Sequence, residues 1–130
     1  MGYPMAGHLV SAGFDVTVFN RTTQKAKQWV EKYGAKLALS PSEAAKDADV
    51  VLMCVGDDND VRTVAKEAIA AMNEGTLLID HTTASATVAK EIDRVCKDHG
   101  LGFLDAPVSG GQAGAENGQL TVMVGGTERD

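Results

Sequence analysis

Short apolar segments alternate with amphipathic segments along this whole chain, and this alternation constrains its fold most strongly. Residues 49–55 are almost continuously hydrophobic, which is typical of a strand buried on both faces of a parallel sheet. Residues 76–80 form a second segment of this kind. Because helical segments separate the strands and the links are short, the pattern predicts an α/β fold with a mostly parallel sheet covered on both faces.

The other predicted elements follow from apolar spacing and from residues suited to helix ends. Thr22 or Thr23 is expected to cap the second helix, and Ser40, Pro41 and Glu43 form a strong start for the third. The predicted helices are residues 1–12, a segment from the Thr22 cap to Gly34, residues 41–46, 61–72 and a segment ending near Gly100; further strands are residues 14–19, 36–39, 102–104 and 119–124, the last broken by Gly125 and Gly126.

The bulk properties describe one globular domain. A length of 130 residues allows a single core, and the formal charge of −6 argues against a nucleic-acid surface. No apolar run approaches the roughly 18 residues that a membrane helix needs, so no membrane partner is expected. Cys54 and Cys96 lie in apolar patterns and are interpreted as reduced core residues, with neither a disulfide nor a metal site. Without a secretory signal, we expect a cytoplasmic location.

Four polar loops follow strands of the predicted sheet: residues 20–22, 56–58, 81–83 and 109–111. The carboxyl ends of parallel strands share one edge, where ligands bind in such sheets, so the loops are expected to lie together. In the last loop, Ser109 offers a hydroxyl, and Gly110 and Gly111 offer unobstructed backbone N–H groups. These donors suit a small carboxylate or phosphate, although a plain turn remains an alternative.

The first helix and the first polar loop suggest a dinucleotide site. Of the Gly-x-Gly-x-x-Gly signature, only a last glycine, Gly2, is present. At the strand end where ribose recognition is expected, the chain has Asn20, Arg21 and Thr22 instead of an acidic residue. A guanidinium can pair with a 2′-phosphate, and Lys25 adds positive charge, so NADP is favoured over NAD. A solvated arginine is the alternative.

Other polar residues have a structural interpretation as well as a functional one. His81 is expected to be a satisfied polar group and not a catalytic residue. The three aspartates of residues 57–60 are interpreted as helix-capping groups in preference to a metal site. The hydroxyl side chains of residues 82–85 either bind a ligand or cap the next helix, and the sequence leaves these alternatives open.

The sequence resembles the β-hydroxyacid dehydrogenase family, which includes 3-hydroxyisobutyrate dehydrogenases, tartronate semialdehyde reductases and glyoxylate/succinic semialdehyde reductases. The resemblance runs through residues 1–6, 18–22, 54–57, 80–83 and 105–126 in the family's order, and the last block is the most specific. It implies a Rossmann-type doubly wound fold and reversible hydride transfer between a nicotinamide and a short 3-hydroxy acid or semialdehyde.

The resemblance also implies roles for individual residues. Ser109, Gly110 and Gly111 would bind the substrate carboxylate, and Thr83 would lie near the nicotinamide or the substrate. The cofactor would contact Gly2 at the start of the first helix and Asn20, Arg21 and Thr22 in the first loop. It would also contact Val55, Gly56, Asp57 and Thr83.

Two departures from the family pattern matter. The first strand and the first two glycines are absent, so residues 1–130 are expected to form an incomplete NAD(P)-binding domain. The family's catalytic lysine and its helical, dimer-forming domain would lie beyond residue 130, so no catalytic residue is assigned and the full-length protein is expected to be a homo-oligomer. We expect the chain alone to be poorly stable, with its strands at 15–19 and 49–55 directly paired or facing a gap, and to lack turnover.

The sequence has two alternative interpretations besides a 3-hydroxyacid dehydrogenase. A non-catalytic nucleotide-binding or assembly module could keep the same fold. A 6-phosphogluconate enzyme is disfavoured, because no basic cluster for a sugar phosphate accompanies Ser109, Gly110 and Gly111.

Overall fold

The computed structural model describes residues 1–130 and contains six helices and eight short strands. The helices are α1 (Gly2–Ser11), α2 (Thr23–Tyr33), α3 (Pro41–Ala45), α4 (Asp58–Ala71), α5 (Ala86–Asp98) and α6 (Gly111–Glu116). The strands are β1 (Thr17–Val18), β2 (Lys36–Leu37), β3 (Val50–Met53), β4 (Leu77–Asp80), β5 (Gly102–Asp105), β6 (Val108–Ser109), β7 (Thr121–Val122) and β8 (Gly125–Gly126). None of the helices combines the length and the apolar character needed to cross a membrane.

The main sheet has the strand order β3-β4-β5-β8, with the first three strands parallel. Helices α4 and α5 cover one face, where Val61, Leu78, Val88 and Cys96 are fully buried. Burial raises the pKa of the Cys96 thiol to about 12, and both cysteines are free. The predicted α/β class and parallel sheet are therefore confirmed.

Strands β1 and β2 form a separate parallel pair, which is not hydrogen-bonded to β3. Of the two arrangements that the sequence allowed, the strands at 15–19 and 49–55 therefore face a gap. Val50 and Leu52 are 43% and 45% exposed, so the prediction that this strand is buried on both faces is wrong. These side chains project from the face of the sheet opposite Met53, which packs with α4 and α5. Helices thus cover only one side of β3.

The end of the chain differs from its prediction. Ser109 and Gly111, expected to lie in a loop, instead end β6 and begin α6, and β6 pairs antiparallel with β7. Gly125 and Gly126, expected only to break the last strand, instead add β8 antiparallel to β5. A Cβ atom on Gly126 would come within 2.6 Å of Leu104 Cδ2, so glycine allows this backbone to lie against β5.

Helix starts follow the capping rules more closely than apolar spacing. Helix α4 begins three residues earlier than predicted, because the Asp57 carboxylate accepts the Asp60 N–H at 2.9 Å. The predicted start of α3 is confirmed: Ser40 Oγ accepts the Glu43 N–H, and Glu43 Oε2 accepts the N–H of Leu39, the residue before the cap.

At α2, Thr22 is the N-cap residue, as expected, but its side chain makes no capping hydrogen bond. Asn20 Oδ1 instead accepts the Thr22 N–H at 3.0 Å. This turn places Arg21 between the hydrogen-bonded residues Asn20 and Thr22, just after β1.

Candidate functional site

The strand register brings three of the four polar loops to one edge of the main sheet. Met53, Asp80 and Asp105 are neighbours across β3, β4 and β5, each as the last residue of its strand. The loops that follow them therefore begin side by side. This is the edge at which ligands bind in parallel α/β sheets.

A buried network joins the loops after β3 and β4. Asp80 is 1% exposed, and its Oδ1 accepts the Thr82 N–H at 2.9 Å. Thr82, 2% exposed, accepts the Val55 N–H on its hydroxyl oxygen at 3.0 Å. The charged residue at the end of a buried strand was visible in the sequence, but its role in organising the loops was not. Asp80 thus fixes the position of the backbone at Val55 and next to Thr83.

Burial raises the pKa of the Asp80 carboxyl, and hydrogen bonds from Thr82 oppose this effect. The pKa of Asp105 is raised by burial and then by the charge of Asp80. Burial likewise raises the pKa of Cys54. The space behind the loops therefore favours neutral side chains, and two carboxyls there lie on adjacent strands.

His81 ties the loop after β5 to the same edge. The ring Nδ1 of His81 lies 2.8 Å from the Ala106 carbonyl oxygen. The backbone N–H of His81 donates to the Met53 carbonyl oxygen at 2.8 Å. The interpretation of His81 as a satisfied polar residue is therefore confirmed. The neighbouring Thr83 is exposed, and its hydroxyl bonds to no other residue of the chain.

Ser85 is a helix cap, which decides one of the alternatives left open by the sequence. Its Oγ accepts the Val88 N–H at the start of α5 and donates to Asp58 Oδ2 at 2.5 Å, while its N–H donates to Asp58 Oδ1. These bonds from Ser85 lower the pKa of Asp58. Ser85 and Asp58 therefore hold the starts of α4 and α5 together.

The loop after β1 reaches the same region through Arg21. Its guanidinium Nη1 lies 3.3 Å from Asp60 Oδ1 in the first turn of α4, and its side chain is 85% exposed. The start of α1 is also close, since a Cβ atom on Gly2 would lie 3.4 Å from Cys54 Cβ. Gly56 is exposed between these contacts. The predicted loops at residues 20–22 and 56–58 are thus neighbours.

The loop at Ser109 begins three residues after Ala106, which is in contact with His81. Ser109, Gly110 and Gly111 are exposed, and the two glycines have φ angles of +137° and +65°, which L side chains rarely adopt. Gly110 precedes the short helix α6, whose Ala115 carbonyl oxygen lies 2.9 Å from His8 Nε2 of α1. Contacts between loops therefore run without interruption from Arg21 to the start of the Ser109 loop.

The comparisons with known proteins agree with this arrangement. Residues 1–130 match the family described as the NAD binding domain of 6-phosphogluconate dehydrogenase. An uncharacterized oxidoreductase of Shewanella frigidimarina is 57% identical over 98% of this chain and 45% of its own length. A 3-hydroxyisobutyrate dehydrogenase-like protein of Arabidopsis thaliana, named mitochondrial, is 42% identical over 98% of this chain and 39% of its own.

Two solved structures superpose closely. The 3-hydroxyisobutyrate dehydrogenase of Mycobacterium tuberculosis with L-serine has a TM-score of 0.94 at 39% identity, covering 99% of this chain and 44% of that one. Psf3 in complex with NADP+ and 2-OPP has a TM-score of 0.90 at 25% identity, covering 99% and 46%. The chain spans less than half the length of these proteins. It belongs to the NAD-binding domain family of 6-phosphogluconate dehydrogenase, and its relatives are 3-hydroxyisobutyrate dehydrogenases and related oxidoreductases.

Proposed function

We propose that this chain is the cofactor domain of an NADP-preferring dehydrogenase that interconverts a short 3-hydroxy acid and its semialdehyde. The observation that carries the proposal is the series of contacts that joins the loops at Gly56, Thr83 and Ala106, along one edge of the main sheet, to the Arg21 loop after β1. The family match and the 3-hydroxyisobutyrate dehydrogenase relatives support the same activity.

The chemistry of the exposed donors fits NADP. Arg21 projects into solvent at the end of β1, with Asn20 and Thr22 beside it, and can pair with a 2′-phosphate. Gly2 at the start of α1 and the segment Val55, Gly56 and Asp57 would hold the rest of the dinucleotide. The NADP+ in the Psf3 structure supports this cofactor for the fold. When bound, the nicotinamide donates or accepts the hydride.

The chain's own residues would orient the reactants. The free hydroxyl of Thr83 would bond to the nicotinamide or substrate, and its position depends on the Thr82–Asp80 network. Ser109, Gly110 and Gly111 would bind the substrate carboxylate through one hydroxyl and two N–H groups. No residue of this chain is proposed as the general acid, and the incomplete cofactor domain, the homo-oligomer and the cytoplasmic location remain predictions.

Replacing Arg21 with alanine tests the cofactor assignment. We expect Arg21→Ala to weaken NADP+ binding about tenfold or more and to leave NAD+ binding within about twofold, because only NADP+ carries the 2′-phosphate. Calorimetric titration of the protein with each cofactor measures both affinities. Arg94→Ala, which removes an exposed arginine from α5, is the matched control.

An unchanged ratio of NADP+ to NAD+ affinity in Arg21→Ala would contradict this role of Arg21. A panel of 3-hydroxy acids and semialdehydes, assayed by NADPH absorbance on the full-length protein, tests the activity itself. Nucleotide binding without turnover of any member would favour the non-catalytic module.

A further inference from the structure

The structure supplies the carboxylate that the sequence lacks at the end of β1. Dinucleotide sites that use NAD commonly have an acidic residue there, bonded to the ribose 2′-hydroxyl. This chain has Asn20, Arg21 and Thr22 at that position. Asp60, 39 residues after Arg21 on α4, instead brings its Oδ1 to 3.3 Å from Arg21 Nη1. A negative and a positive group therefore share the place where the 2′ substituent is recognised.

Asp60 is the better-anchored member of this pair. The backbone N–H of Asp60 donates to the Asp57 carboxylate, which caps α4. The Asp60 side chain is 29% exposed, compared with 85% for the Arg21 side chain. A Cβ atom on Gly56 would come within 2.6 Å of Asp60 Oδ2, so the absence of a side chain at Gly56 leaves room for the carboxylate. A ligand that separates the pair would therefore move Arg21 and leave Asp60 in place.

We propose that Asp60 determines cofactor specificity by competing with the 2′-phosphate of NADP for Arg21. This inference rests on the proposed function, in which the cofactor binds beside Arg21. A 2′-phosphate must take the guanidinium from Asp60 and then lie near an uncompensated carboxylate. A 2′-hydroxyl can donate to Asp60 while the ion pair stays intact. Asp60 therefore limits the preference for NADP and keeps NAD usable.

The neighbouring charges do not supply the same effect. The Asp58 carboxylate is bonded to Ser85, and Asp57 caps α4. Arg62, the nearest basic residue along α4, forms an ion pair with Glu91. The Arg21–Asp60 pair is thus the contact in this group that a cofactor phosphate would have to break.

Calorimetric titrations of the intact protein with NADP+ and NAD+ test the inference. Asp60→Asn keeps the size of the side chain and removes its charge, and Asp60→Ser is a second variant without the charge. We expect both to tighten NADP+ binding about twofold to fivefold, the range for a solvent-exposed charge pair, and to weaken NAD+ binding or leave it unchanged. Asp15→Asn is the matched control, because Asp15 forms an exposed pair with Lys36 at the same 3.3 Å.

The double variant Arg21→Ala/Asp60→Asn shows whether the two residues act together. If Asp60 acts through Arg21, the gain in NADP+ affinity on removing Asp60 is smaller when Arg21 is absent. An unchanged affinity ratio in Asp60→Asn and Asp60→Ser overturns the inference. If Arg21→Ala still abolishes NADP preference in that case, the proposed function stands; if the wild-type protein binds neither cofactor, both fail.

Discussion

At the scale of single residues, Asp80 has the strongest effect on the candidate site. Its carboxyl is buried at the end of β4 and bonds to Thr82, which in turn holds the backbone of Val55. A buried carboxyl disfavours its charged form, and the raised pKa of Asp80 reflects this. The residue that organises the loops therefore also makes folding depend on pH.

Asp80→Asn tests this dependence. A carboxyl whose pKa is raised by folding binds more protons in the folded state than in the unfolded state at pH values above its ordinary pKa of 3.8. Its contribution to stability is therefore largest in acid and is lost as the pH rises through the folded-state pKa. Asparagine keeps an acceptor for Thr82 and does not titrate, so we expect Asp80→Asn to gain stability relative to wild type as the pH rises.

Urea unfolding from about pH 3.5 to about pH 7 measures this difference. Asp105→Asn is the control on the adjacent strand, where the carboxyl is less buried and the difference should be smaller. A stability difference between wild type and Asp80→Asn that stays constant with pH would contradict the assignment.

At the scale of elements, the starts of α4 and α5 hold the loops that the strand register brings together. Asp57 and Ser85 cap these helices through their side chains, and Asp58 bonds across to Ser85. Bonds between residues far apart in the chain join two helix starts to two adjacent strand ends. The loops therefore behave as one unit.

Ser85→Ala should weaken this unit. Loss of the N-cap destabilises the protein by about 1 kcal/mol, and the pKa of Asp58 should rise part of the way toward its ordinary value, because the hydroxyl bond is lost and the bond from the backbone N–H of residue 85 remains. Urea unfolding and NMR titration of the Asp58 carboxyl measure the two effects. Thr87→Ala, at an exposed position inside α5, is the control and should change neither. An unaltered Asp58 titration in Ser85→Ala would exclude the proposed coupling.

At the scale of the whole molecule, the dominant feature is the gap between the β1–β2 pair and the main sheet. Strand β3 is an edge strand without a partner on the side of that gap, and the Val50 and Leu52 side chains on its uncovered face are almost half exposed. Unpaired strand edges with apolar side chains promote association between molecules. The low stability expected of the chain alone has the same physical origin, and it remains a prediction.

Leu52→Lys tests the consequence of this edge. A charged side chain on an edge strand opposes pairing with a second molecule, so we expect less self-association at high protein concentration. The free energy of unfolding should change by less than about 0.5 kcal/mol, as for other surface substitutions. Analytical ultracentrifugation measures the association. Leu39→Lys, at a leucine 71% exposed outside the edge strands, is the control; equal effects of both variants would rule out the edge as the cause.

Much of the fold was predictable because it depends on local chemistry. Apolar periodicity identified α1 to α5 and the parallel strands, and the Ser40 cap of α3 is formed as expected. The first turn of α4 was missed because it is polar, so periodicity could not detect it, although Asp57 marked its start. The role of Gly125 and Gly126 in β8 was also missed, since glycine commonly breaks strands and only the neighbouring β5 makes this pairing favourable.

The sequence by itself determined that this chain forms an α/β domain with polar loops at its strand ends, because strand length, apolar pattern and turn residues are encoded locally. The tertiary structure alone decided which distant groups meet at those ends. Asp60 reaches Arg21, Thr82 reaches Val55, and His81 reaches Ala106 only through the parallel register and the helix crossovers. Such contacts depend on the packing of whole elements, and no spacing in the sequence specifies them.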